Sequence, residues 1–103
     1  MNKYYDRDGN PMDMMDYSRQ FANMEYKRVK ETTLPDGTWI STVWLGIDHH
    51  FGDGPPLIFE TMVFSSQEDM ADHDCERYST LAEAEAGHTA MVAKWKEARD
   101  AGA

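Results

Sequence analysis

The sequence predicts a small single-domain α+β fold: an antiparallel sheet of three or four strands, with a short helix before it and a longer helix after it. Three observations carry that expectation. Thr80-Leu81-Ala82-Glu83 has the form of a capping box, a hydroxyl followed three residues later by a carboxylate, at the start of a helical apolar stripe. Leu34-Pro35-Asp36-Gly37-Thr38 is a hairpin signal, with Pro35 and Asp36 suited to a type I turn and Gly37 to the left-handed position after it. Residues 38–47 and 57–64 are strand-length runs that are apolar on both faces, which suits central strands.

The elements follow in order. Tyr4-Tyr5 reads as a short extended piece, and Asp8-Gly9-Asn10-Pro11 as a tight turn. Asp13 is suited to cap a helix over about 14–22, with Met14, Tyr17, Ser18 and Phe21 on one side. Residues 24–33 place Val29, Thr32 and Thr33 among charges, as a peripheral strand would. A short fourth strand is expected over 75–78. The last helix is expected from about 81 to 99, with Gly102 past its end and Leu81, Ala84, His88, Met91, Val92 and Trp95 as its apolar stripe.

The 103 residues, 1–103, suffice for one hydrophobic core and not for two. Hydrophobic residues make up 41%, enough for a folded domain rather than a disordered chain. The net charge of −9, from 19 acids against 10 Lys+Arg, repels phosphate backbones and argues against nucleic-acid binding. Cys75 is the single cysteine, so no intramolecular disulfide can form and a reducing compartment is expected. The sequence has no signal peptide, lipidation motif or apolar run near 20 residues, so the expected location is cytoplasmic, without membrane attachment.

With the elements placed, the chain resembles a family of short proteins of tailed phages, prophages and actinobacteria. The resemblance covers nearly the whole length. It rests on Tyr4-Tyr5-Asp6 with Asp8-Gly9 and Pro11, on Arg28-Val29, and on the stretch from Trp39 to His49. It continues through Phe51-Gly52-Asp53-Gly54-Pro55-Pro56 to Phe64, then Arg77-Tyr78-Ser79-Thr80 and Gly87-His88. Residues 65–75 depart from the pattern, being longer and more acidic than the Gly-rich joint expected there, which leaves His73 and Cys75 without an inherited role. The resemblance implies a mobile-element or phage-accessory context and brings no activity with it.

Alternation along the strands yields one candidate surface. Setting Leu34 opposite Thr38 pairs Arg28 with Trp44, and setting Ile47 opposite Leu57 pairs Trp44 with Glu60. Arg28, Trp44 and Glu60 are then expected in one row, on a face shared with Tyr26, Lys30, Ile40, Thr42, Ile58, Met62 and Phe64. The opposite face, with Val29, Val43, Leu45, Ile47, Leu57, Phe59 and Val63, is expected under the last helix. The row is either a covered ion pair or an open grip for a partner or ligand. Asp48-His49-His50 with Asp53 offers proton transfer or ligand contact, or a stiff loop in which Asp48 accepts backbone N–H bonds. Its spacing suits a metal poorly, since adjacent histidines diverge on an extended chain. His88, on the buried stripe, reads first as a satisfied core histidine, and as half of a site if it meets Asp48 or His49.

With no nucleophile elbow, phosphate loop or metal-ligand spacing, no catalytic residue, metal or cofactor is expected. The expected function is non-catalytic binding of a host or defence protein. The alternatives are a small-molecule binder, holding a nucleotide-like ligand by Trp44, Arg28 and the 48–54 loop, and an acid–base enzyme using His49 and Asp48. Self-association is left open.

Overall fold

The computed structural model describes residues 4–48, 54–66 and 72–101. It is an α+β domain in which a four-stranded antiparallel sheet, order β3-β4-β5-β6, carries one long helix across one face. The strands are β3 (Arg28–Thr33), β4 (Trp39–Trp44), β5 (Phe59–Phe64) and β6 (Asp72–Tyr78), and the helix, α3, spans Leu81–Ala101. Ahead of the sheet lie a two-stranded hairpin, β1 (Tyr4–Tyr5) with β2 (Pro11–Met12), and two helices, α1 (Met14–Phe21) and α2 (Met24–Lys27). No helix among the described residues is long and apolar enough to cross a membrane.

Local chemistry fixes the element ends. The Asp13 carboxylate accepts the Asp16 N–H at 2.8 Å and starts α1. Asn23 does the same for the single turn of α2 through the Glu25 and Tyr26 N–H groups, so residues 24–27 are helical and the first sheet strand begins at Arg28 rather than 24. The tight connection at 34–38 forms as expected: Leu34 N–H donates to Thr38 O at 2.8 Å, and Gly37 takes φ +96°. At α3 the Glu83 N–H donates to Thr80 Oγ1 at 3.1 Å. The Glu83 carboxylate folds back onto the Thr80 hydroxyl at 3.0 Å.

Two features correct the expected registers. A bulge at Val29 displaces the start of β3, so the expected pairing holds from Lys30↔Thr42 to Thr33↔Trp39, while Arg28 stands opposite Val43. Between β4 and β5 the pairing is one residue away from the expected one: Trp44 faces Phe59 and Val43 faces Glu60. The reason lies at Gly46. It adopts φ +76°, and the chain there turns from β5 toward the N-terminal hairpin, with Tyr5 N–H donating to Gly46 O at 2.8 Å and Tyr4 bridging to Ile47. Leu45 N–H accordingly meets Ile58 O at 2.7 Å, one residue away from the expected pairing.

A one-residue slip exchanges the faces of a strand. The β4 residues under α3 are Ile40, Thr42 and Trp44, each 0% exposed, packed with Phe59, Thr61 and Val63 of β5. Val43 and Leu45, expected in that core, are half-buried away from it. The α3 stripe is as expected, with Ala84, His88 and Met91 buried and Leu81, Val92 and Trp95 flanking.

Candidate functional site

The sheet face turned away from α3 is where exposed chemistry collects. Its rows follow from the pairing: Trp39 beside Phe64, Ser41 beside Met62 and Cys75, and Arg28, Val43, Glu60 and Arg77 across all four strands. Trp39, Ser41, Val43 and Met62 are half-buried, and no described helix packs across the middle of this face. Trp39 stacks on Phe64 with ring centroids 5.2 Å apart. Glu60, 7% exposed, accepts Arg77 Nε at 2.8 Å and the Cys75 thiol at 3.5 Å. A carboxylate this buried needs such a donor set.

The row of Arg28, Trp44 and Glu60 expected from the sequence does not form. Arg28 and Glu60 do share a face, but Val43 stands between them, two strand spacings or about 9–10 Å of sheet. Arg28 pairs instead with Glu31 at 3.4 Å, both half exposed. Trp44 is on the opposite face and fully buried. Its Nε1–H donates to Tyr5 O at 2.9 Å, Tyr26 meets its ring edge-on at 4.9 Å, and Tyr17 packs at 5.7 Å. Its ring offers nothing to a partner. A Cβ at Gly46 would lie 2.5 Å from the Trp44 ring and 2.7 Å from Tyr17, so that position also closes the indole in.

His88 is a buried junction. Nε2 lies 2.9 Å from Thr32 Oγ1 and Nδ1 lies 2.7 Å from Thr42 Oγ1, and the Thr42 hydroxyl also bonds to that of Thr61. Both ring nitrogens are therefore occupied by hydroxyls, neither by Asp48. Burial, and secondly the nearby charge of Lys30, hold the imidazole below its ordinary pKa, so it is neutral at pH 7. Asp48 is exposed, and its carboxylate accepts the Leu57 N–H at 3.0 Å, bracing the connection to β5. His49 and Asp53 lie outside the described residues.

Sequence reasoning missed Arg77, Trp39 and Lys27. Arg77 was legible: a strand over 75–78 beside the Glu60 strand brings a cation to that carboxylate. Trp39 was hidden by the inverted face of β4, and Lys27 by reading α2 as strand.

One pocket of about 250 Å³ opens beside this face, between the α1–α2 segment and β3–β4. Among the described residues no group of three or more His, Cys, Asp or Glu is placed to hold a metal ion. No known protein family, curated protein or solved structure matches the chain.

Proposed function

We propose that the chain is a non-catalytic binding protein that docks a protein partner through the β4–β6 part of the face turned away from α3. The observation that carries this reading is the half-buried Trp39–Met62 surface, backed by Phe64 and edged by the Glu60–Arg77 pair, with no helix laid over it. Aromatic, methionine and arginine side chains on a rigid strand surface are the composition of interface centres. The family resemblance supports a host or defence component as the partner, and the single cysteine supports action in a reducing cytoplasm. An acid–base role draws no support from the described titratable groups, since His88 is committed to threonines and Asp48 to a backbone amide.

The test is affinity capture from phage-infected bacterial cells, comparing the parent with Met62→Lys and with Met62→Leu as the conservative control. One stoichiometric protein held by the parent and by Met62→Leu, and released by Met62→Lys at unchanged melting temperature, is the expected result. Retention of the same protein by Met62→Lys would place the docking surface elsewhere.

A further inference from the structure

We infer that the pocket between α1–α2 and the β3–β4 part of the sheet is a binding site for a small organic anion whose apolar body is about one aromatic ring in size. This site adjoins the Met62 docking surface and shares Trp39 and Ser41 with it; the Met62 variants test that surface, and the Lys27 and Arg28 variants test this pocket.

Size comes first. The pocket measures about 250 Å³. An apolar cavity of roughly 150 Å³ accommodates benzene, so this one has room for a ring and a carboxylate or phosphate beside it. Its lining is mostly apolar, with Phe21, Val43 and Leu45 prominent, which supplies a surface for the ring. Met24, 57% exposed, stands at the wall as a flexible cover that can adapt to the shape of a guest.

Charge then selects an anion. The chain has 19 acids and 10 Lys+Arg, yet the pocket is lined by two cations, Lys27 and Arg28, and one carboxylate, Glu31. Among the described residues Lys27 has no carboxylate partner, and its ammonium rests over the Phe21 ring at 3.8 Å. Arg28 meets Glu31 at 3.4 Å, longer than the roughly 2.7–2.9 Å of a tight charge-assisted bond. Both cations thus retain donor capacity. Trp39 and Ser41 also line the pocket, the first adding apolar wall and the second a hydroxyl. An anion on Lys27 and Arg28 with its ring over Val43 and Phe21 engages both cations and the apolar floor together. A neutral ligand satisfies only the apolar floor.

The experiment is an amide-resolved NMR titration of the full chain with phenylacetate and phenyl phosphate. Phenylacetamide serves as the neutral control and inorganic phosphate as the control lacking a ring. Both aryl anions are expected to move amides in 21–31 and 39–45 saturably, at least tenfold more tightly than either control. Lys27→Met and Arg28→Met are each expected to weaken them about tenfold, the loss of one charge-assisted contact. Ser41→Leu, which fills the pocket without altering charge, is expected to abolish binding and confirms the location if either charge variant fails to fold. Equal affinity for phenylacetamide would overturn the anion, equal affinity for inorganic phosphate would overturn the apolar body, and no saturable shift in these segments would overturn the site.

Discussion

Tyr78 lies against α3 so closely that a Cβ at Gly87 would fall 2.2 Å from its ring. Glycine inside a helix costs about 1 kcal/mol against alanine, so its presence here exchanges helix propensity for room. Gly87→Ala is expected to lower stability by about 1–3 kcal/mol, as overpacking does, despite the better helix former. Tyr78→Leu in the same chain is expected to recover part of the loss. Denaturant midpoints of the four proteins check this, and an unchanged midpoint for Gly87→Ala would mean the helix can shift away from the ring at no cost. His88 sets a second expectation. Its folded-state pKa is depressed, first by burial and then by Lys30, so the unfolded chain binds the proton more readily. Stability from this group is full above the unfolded value of about 6.5 and is lost as pH falls through it. Midpoints measured from pH 7.5 to 5.2 are expected to decline in the parent and to decline less in Lys30→Met. Equal slopes would remove Lys30 as a contributor.

At the scale of elements, the strand pair β5–β6 has its ion pair where the pairing dictates. Glu60→Gln and Arg77→Met are expected to be non-additive, with a coupling of about 0.5 kcal/mol, small because Arg77 is 44% exposed. Glu60→Gln and Arg28→Met are expected to add, since Val43 separates them. A coupling of Glu60 to Arg28 larger than that to Arg77 would contradict the register. A like tie joins β6 to α3, where the Asp74 carboxylate accepts Lys94 at 2.7 Å and the Trp95 N–H at 3.1 Å. Helix ends and the first turn were readable because they depend on neighbours in sequence: Asp13, Thr80 with Glu83, and Gly37 act within a few residues. The β4–β5 register was not, because Gly46 hands the chain to a hairpin more than 30 residues earlier, and nothing local records that contact. The core faces were hard to rank as well. Thr42 and Thr61 look like solvent-side residues until His88 is placed on the Thr42 hydroxyl, which bonds on to Thr61. The ion pair expected for Glu60 was right in kind and wrong in partner, because Arg28 shares its row two strands away while Arg77 stands on the adjacent strand.

Over the whole molecule, both edges of the sheet are charged. β3 presents Arg28, Lys30 and Glu31, and β6 presents Asp74, Glu76 and Arg77, so neither edge invites a further strand. The net charge of −9 adds self-repulsion that salt screens. Raising sodium chloride from about 0.02 to 0.2 M is expected to raise the melting temperature by roughly 2–4 °C, about half a kcal/mol for a domain of this size. A fall in the melting temperature would mean that attractive pairs outweigh the repulsion. The threonine–histidine junction has a consequence for positional accuracy. An apolar stripe alone would let α3 slide along the sheet by a turn, about 5.4 Å, and still bury methyl groups. With His88 bonded to Thr32 and Thr42, and Thr42 to Thr61, each slide strands hydroxyls in a dry interior at about 1–3 kcal/mol apiece. The junction is thus an index mark that gives the helix one resting place. Replacing its fully buried members with His88→Leu, Thr42→Val and Thr61→Val is expected to keep helix content while broadening or doubling the amide resonances of β4 and α3. A single sharp set of resonances in that triple variant would show that steric fit alone aligns the helix.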